Sequence, residues 1–247
     1  MARPAPIILS PALPSELLTY IIQQEAYPTT LIICSSRAEF LTHLISDVQD
    51  TTRRPPRPET DRNALISSPL YQVAIARHIR MVFVPTVSHL RAYLSVFTNE
   101  DSKVPPPPDL PSAHTKRQPL LLVYGFLNLH RATSEWSAQG ISSTAASFVE
   151  AARRTGFQAV LVDFARRPPG QSEGDRCGEE DGVGNSLPGT EESLLSEEVT
   201  VLSASAWKAG ADLDDAAWTG RKVALGRVLG RWFRYGQGNW DMKARKI

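Results

Sequence analysis

Ser10 to Leu17 reads SPALPSEL and lies between a short apolar run, PIIL at Pro6–Leu9, and an amphipathic stretch from Glu16 to Gln24. A strand–loop–helix of this kind cradles phosphate when its loop follows GxxxxGK[ST]. The glycines let backbone amides wrap the anion, the lysine neutralises it, and the hydroxyl holds Mg²⁺. Aligned to that pattern, Ser10 and Ser15 take the glycine positions, Glu16 the lysine and Leu17 the hydroxyl. Pro11 and Pro14 remove two amide donors, and the Glu16 carboxylate repels a triphosphate. Such a site also needs an acidic metal holder at the end of a buried strand. The strand LLLVY ends instead in Tyr124. ATP hydrolysis is therefore not expected, and no cofactor or metal is implied. SPALPSEL reads as a proline-stiffened turn, with Ser15 as the N-cap of the helix that follows.

The remaining chemistry-bearing residues form no constellation. His43, His78, His89, His114 and His130 are scattered, none at HExxH spacing, and no GxSxG occurs. Asp163 ends an apolar run, the position where open α/β sheets place ligands, but without a base or metal partner it reads as a turn cap. The two cysteines, Cys34 and Cys177, supply neither a zinc set nor an expected disulfide.

These residues need elements to hold them. The segment from Pro119 to Phe164 is the clearest. Leu120 to Tyr124 is a continuous apolar run, as in a strand buried on both faces. A polar linker with Arg131, Ser134, Glu135 and Gln139 follows, then a helix from about Ser142 to Arg154 stopped by Gly156, then a strand from Ala159 to Asp163. That is a βαβ unit of a parallel sheet. Upstream, PIIL is a strand, TTLIIC at Thr29–Cys34 another, and Arg37 to Val48 a helix capped by Ser36. Its Phe40, Leu41, Leu44, Ile45 and Val48 fall on one face. Pro69 to His78 reads as helical, Ile79 to Val84 as a strand, and Ser88 to Phe97 as a helix with Leu90, Tyr93, Leu94 and Phe97 inward. Val199 to Leu202 reads as a strand, and Arg221 to Tyr235 as a strand or hairpin with its basic residues on an open face.

At 247 residues and 42% apolar, the chain is sized for one α/β domain over 1–247. Flexible segments are expected at 50–62, 99–117 and 166–198, the last carrying nine acidic residues from Glu173 to Glu198, and a basic tail at 236–247. A net charge of +1 favours no class of partner in bulk, so attraction to nucleic acid must come from local patches. No run approaches the ~18 apolar residues of a membrane span, and no leader pattern opens the chain. A reducing compartment is the default, with nucleus expected and cytoplasm the alternative.

Two sets of side chains are interaction candidates. Arg221, Lys222, Arg227, Arg231, Arg234, Lys243 and Arg245, together with Lys246, make the C-terminal end the most basic region. They either neutralise DNA phosphates or guard a sheet edge against aggregation. Arg53, Arg54 and Arg57 are weaker candidates. Trp232, Phe233 and Tyr235 suit a core or a subunit interface better than base stacking. Trp136, without an evident core partner, suits an interface.

The stretch LLLVYGFLNLHRATSEWSAQGISSTAASFVEAARRTGFQAVLVDF resembles the core of the RecA-like recombinases and their eukaryotic paralogues. In that family a buried strand ending in an aspartate leads through a Leu/Arg-rich segment and a Ser/Gly loop to a helix and a further buried strand. Leu127–Arg131 and SAQGIS match in character, TTLIICSSRAEFL fits the strand after the phosphate-loop helix, and KVALGRVLGRWFRY a late sheet strand. The likeness spans most of residues 6–235 and is one of layout. It implies a single RecA-like domain with a mostly parallel central sheet flanked by helices and a degenerate phosphate-binding loop. With Glu16 and Tyr124 at the nucleotide positions, the chain looks like the non-catalytic subunits of Shu-type recombination mediator complexes. That resemblance implies a hetero-oligomer with RecA-family recombinase or paralogue subunits, a SWIM-zinc-motif protein among the partners, and DNA. The degenerate RecA-like scaffold subunits of Elongator, which act in tRNA modification, and a diverged P-loop NTPase are the alternatives.

Overall fold

A computed structural model describes residues 5–24, 26–53, 73, 76–100, 118–131, 133–165, 194–202, 221–238 and 240. The central sheet is built from β1 (Ile7–Ala12), β2 (Thr29–Ile33), β3 (Ile79–Phe83), β4 (Leu120–Tyr124), β5 (Gln158–Phe164) and β8 (Arg234–Gly236). Its six strands run in the order β3-β2-β4-β5-β1-β8. Every neighbouring pair is parallel. The α/β class with a parallel central sheet is thus as expected, and consistent with a RecA-like domain.

Parallel strands need long crossovers, and here the crossovers carry helices to both faces. One face is covered by α1 (Pro14–Gln24) and α2 (Arg37–Arg53), the other by α3 (Val87–Val96), α4 (Phe126–Arg131), α5 (Ala138–Thr155) and α6 (Leu225–Leu229). The two-residue period of β4 shows the division. Leu120, Leu122 and Tyr124 enter the core under α1 and α2, while Leu121 and Val123 enter the core under the other four helices. All five side chains are buried, each worth about 1.5–3 kcal/mol of apolar transfer, which is why the middle of the sheet reads so clearly in the sequence.

The helix ends follow local chemistry. Ser36 and Glu39 form a reciprocal capping box on α2: Glu39 N–H donates to Ser36 Oγ at 3.2 Å and Ser36 N–H to Glu39 Oε2 at 2.9 Å. On that helix Phe40 is buried, but Leu41 and Ile45 are exposed, so the apolar face is narrower than the spacing suggests. Ser137 caps α5, and Gly156, at φ 76°, ends it in the left-handed conformation.

The expected polar linker holds a helix, α4. Its Phe126, Leu127, Leu129 and His130 are buried, a spacing short enough to be lost among the polar residues that follow. The Arg221–Tyr235 segment also departs from expectation. It is neither one strand nor a hairpin but β7 (Lys222–Ala224), α6 and β8 in succession. Leu225, Val228 and Leu229, buried at helical spacing, make the middle a helix. The strands on either side serve different sheets, β7 pairing antiparallel with β6 (Glu198–Thr200) and β8 parallel with β1. Most of the helix expected at Pro69–His78, and most of 50–62, 99–117 and 166–198, lie outside the described residues. Among the described residues, no helix is long and apolar enough to cross a membrane.

A buried polar chain ties three helices together. Arg91 Nε–H donates to Thr144 Oγ1 at 2.9 Å, Thr144 Oγ1 lies 3.0 Å from His130 Nε2, and His130 Nδ1 lies 2.8 Å from the Phe126 carbonyl. A carbonyl can only accept, so Nδ1 carries the proton, and the single Thr144 hydroxyl proton is shared between Nε2 and the Gly140 carbonyl, also 3.0 Å away. Arg91 also reaches Glu135 Oε2 at 2.6 Å and the Gly140 carbonyl at 3.0 Å. Burial is the main force lowering the His130 pKa, with the Arg91 charge adding to it against the opposing pull of the Phe126 carbonyl and Glu135. A depressed folded-state pKa means the unfolded chain binds the proton first. Stability from this group is complete above the unfolded value of about 6.5 and lost as pH falls below it. The unfolding midpoint should therefore drop between about pH 7.5 and about pH 5.5, and His130→Gln should shrink that drop. Calorimetric scans of both proteins check this; equal drops would remove His130 from the account.

Candidate functional site

The C-terminal ends of β1, β4 and β5 are where a parallel sheet offers a ligand its crevice. In this chain the crevice begins with a strand irregularity. Ile7, Ile8 and Leu9 pair with Val160, Leu161 and Val162, but the next partner pair is Ala12 with Phe164, so β1 spends one more residue than β5. The bulge carries β1 as far as Ala12, and α1 opens at Pro14. Only Leu13 stands between strand and helix. No span remains for a loop that wraps a phosphate.

The helix start is occupied by the protein itself. Pro14 fills the first helical position, where a missing N–H costs nothing. Leu13 takes the cap position: its carbonyl accepts from Leu17 N–H at 3.0 Å, and its own N–H donates to Glu16 Oε2 at 2.8 Å. Ser15 is thus inside the helix and not its N-cap as expected; its N–H donates to Asp47 Oδ2, from α2, at 3.0 Å. Two carboxylates therefore sit on the amides that a phosphate would use. The expectation of a proline-stiffened turn holds, with Glu16 as the capping side chain.

The other walls close in the same way. Ser10 Oγ accepts from Gly238 N–H at 2.8 Å and from the Trp240 indole N–H at 2.9 Å, and the Trp240 ring meets Tyr20 of α1 edge-on at 5.3 Å. Tyr124 reaches across β5 and donates its hydroxyl to the Ala12 carbonyl at 2.8 Å. Its ring stands edge-on to Phe164 at 4.6 Å and to Phe40 at 6.3 Å. Gly125, at φ 81°, follows directly, and a Cβ there would lie 2.4 Å from the Phe164 ring. Both the backbone turn and the aromatic contact demand glycine.

The electrostatics of this end are those of an anion-repelling place. Burial, then the charges of Asp163, Asp47 and Glu16, push the Tyr124 hydroxyl far above the ordinary phenol range. Burial and Asp163 likewise push the Cys34 thiol up, so neither group is an activated nucleophile. Asp163 is itself a cap, as expected: Oδ2 accepts from Leu127 N–H at the start of α4 and Oδ1 from Phe164 N–H, each at 2.9 Å. Among the described residues, no group of three or more His, Cys, Asp or Glu could hold a metal ion.

The interaction candidates fall in two classes. Arg221, Lys222, Arg227, Arg231 and Arg234 are all exposed along β7, α6 and β8. Lys222 Nζ lies 3.6 Å from Glu198 Oε2. Lys243, Arg245 and Lys246 lie outside the described residues, as do Arg54 and Arg57. The aromatic candidates are less open. Phe233 is a core residue, 4% exposed, against Phe148 at 6.0 Å. Trp232 packs on the same core, and its indole N–H donates to Ser142 Oγ at 2.9 Å. Trp136 also packs there and carries the Arg131 guanidinium over its ring at 4.7 Å, while Arg131 makes a two-pronged ion pair with Glu197. These three aromatics thus have intramolecular partners that sequence spacing did not reveal. Asp47, Phe164 and Trp240, which help close the crevice, went unnoticed. Asp47 alone left a trace, as an acid on the stripe of Phe40, Leu44 and Val48.

No family model matches the chain, and no curated protein matches it. Among solved structures it is similar to one titled as a DnaB-like replicative helicase and its interactions with primase. The TM-score is 0.37 and the identity 11%, over 72% of this chain and 44% of the helicase chain. The chain thus spans less than half the length of that neighbour. At that TM-score the likeness says nothing about activity.

Restoring the consensus residues should not restore the site. Glu16→Lys removes the cap on Leu13 and leaves Asp47 on Ser15, and Tyr124→Asp adds a further carboxylate beside Asp163 and Asp47. Each should cost about 1–3 kcal/mol of stability, and the double variant should show no heat of MgATP binding by calorimetry. Saturable binding by the double variant would show that the phosphate position is open after all.

Proposed function

We propose that the chain is a non-catalytic RecA-like accessory subunit of a heteromeric nuclear complex that promotes homologous recombination and DNA repair. In this reading it binds a recombinase or its paralogues, and DNA. The observation that carries the non-catalytic half is the pair of carboxylates, Glu16 and Asp47, on the first amides of α1. A nucleotide phosphate at that helix end would face both. Two like charges about 4 Å apart repel by about 4 kcal/mol at a surface-like dielectric, against the 0.3–2 kcal/mol a helix terminus returns. The repulsion wins, and the sheet is left as a binding platform.

The recombination half rests on the layout of the Pro119–Phe164 stretch and on the exposed basic side chains from Arg221 to Arg234. Tandem purification from the native host followed by mass spectrometry should recover recombinase paralogues. Recovery of Elongator subunits alone would overturn the recombination reading in favour of a tRNA-modification scaffold.

Direct DNA contact has its own test. Duplex or single-stranded oligonucleotides should bind with a salt-dependent affinity. Replacing Arg227, Arg231 and Arg234 by Ala should flatten the log–log salt slope by about 2–3, one counterion per lost phosphate contact. An unchanged slope would assign those arginines to edge protection alone.

A further inference from the structure

A cavity of about 200 Å³ opens at the C-terminal ends of β1, β5 and β8, beside the closed phosphate position. Its walls are mostly aliphatic: Ile8 and Leu9 of β1, Leu127 of α4, and Leu194 and Leu195 opposite. Its one charged lining residue, Asp163, is taken up by the Leu127 and Phe164 amides. Tyr235 and Gln237, both exposed, mark the mouth, where β8 ends the sheet among the described residues. For scale, an engineered apolar cavity of about 150 Å³ holds a benzene ring, so one phenyl-sized group fits here.

The rim is basic and built around one ring. Tyr235, 47% exposed, donates its hydroxyl to the Gly226 carbonyl at 2.6 Å, and its ring lies 3.7 Å from where a Cβ on Gly230 would stand. Each glycine is followed in the chain by an exposed arginine, Arg227 and Arg231, and Arg234 precedes Tyr235 itself. Arg91, Arg131 and Arg154 spend their guanidinium groups on carboxylates or carbonyls of the protein. Those of Arg227, Arg231 and Arg234 meet no acceptor among the described residues.

An apolar socket with a free basic rim complements an apolar side chain carried between carboxylates. A nucleobase suits the walls less well. Its ring nitrogens and exocyclic groups would enter aliphatic surroundings without partners, each at a cost of about tenfold in affinity. A phenyl ring has no such groups to strand.

We infer that this cavity is the docking socket for one aromatic side chain of a protein partner, carried in an acidic segment whose carboxylates pair with Arg227, Arg231 and Arg234. The inference rests on the partner-binding half of the function proposed above and gives it a place on the surface. It does not need the partner to be a recombinase.

Three short labelled peptides test it by fluorescence anisotropy on the full chain: phenylalanine flanked by glutamates, alanine flanked by glutamates, and phenylalanine flanked by lysines. The first should bind at one saturable site, the second at least about tenfold more weakly because the ring's burial is lost, and the third not measurably. Replacing Arg227, Arg231 and Arg234 by Ala should weaken the first peptide by about tenfold or more. Leu195→Trp, which fills the mouth and leaves the arginines intact, should abolish the preference for phenylalanine over alanine while a single-stranded oligonucleotide binds as before. Equal binding of the phenylalanine and alanine peptides by the unaltered chain, no binding of any peptide, or an undiminished phenylalanine preference in Leu195→Trp would each overturn the assignment. Loss of oligonucleotide binding in Leu195→Trp would also overturn it, by placing a base in the cavity. None of these outcomes bears on which proteins the tandem purification recovers, so the socket and the recombination reading fail separately.

Discussion

The helix that follows the first strand of a parallel sheet starts with amides that need an anion, and here the anions are supplied from within. Glu16 answers Leu13 and Asp47 answers Ser15, at 2.8 and 3.0 Å. Four N–H groups at any helix start lack intrahelical partners, so a helix facing the interior must find acceptors or lose stability. A nucleotide-binding sheet leaves that debt to its ligand. This chain settles it internally, and the consequences run outward: a one-residue connection, a bulged β1, and Asp47 fixed in α2 on the same face as Phe40 and Leu44.

Once the anion is internal, the remaining groups at this end of the sheet can be packed as a core. Tyr124 contributes a ring to the cluster under α1 and α2 and a hydroxyl to the Ala12 carbonyl. A buried phenol left without an acceptor would cost about 1–3 kcal/mol, so the Ala12 bond is what makes a tyrosine tolerable there. Phe164 then needs Gly125 to approach Tyr124, and Trp240 closes the last gap against Ser10 and Tyr20. The same logic repeats at α4, where Asp163 serves the Leu127 amide. Carboxylates that look like candidates for catalysis are thus bound to helix starts.

How much of this could be read from residues alone follows from the range of each interaction. The middle of the sheet was legible because β2 and β4 are buried on both faces, which writes a continuous apolar run into the chain. The Ser36 cap and the Gly156 stop were legible because each acts within three or four residues, although the Glu39 half of the Ser36 box was not read. The fate of Tyr124 was half legible: its position at a strand end showed that a metal carboxylate was missing, while the Ala12 acceptor lies 112 residues away. Ser15 misled because Pro14, immediately before it, opens the helix and moves the cap to Leu13. Arg221 to Tyr235 misled because strand and helix periods blur over five-residue spans, and only pairing with two different sheets separates β7 from β8.

The difference between a lost site and a filled one bears on what the fold is for. A site that had only lost its lysine would keep a loop, free amides and a pocket, and would drift back toward phosphate with one substitution. Here six residues from five parts of the chain, Glu16, Asp47, Tyr124, Gly125, Phe164 and Trp240, cooperate to replace the ligand with protein. Tyr124, Gly125 and Phe164 depend on one another, while Glu16, Asp47 and Trp240 each answer a different group, so no single substitution empties the position. The filling ties α1, α2, β4, β5 and the segment after β8 to one another at this end of the sheet.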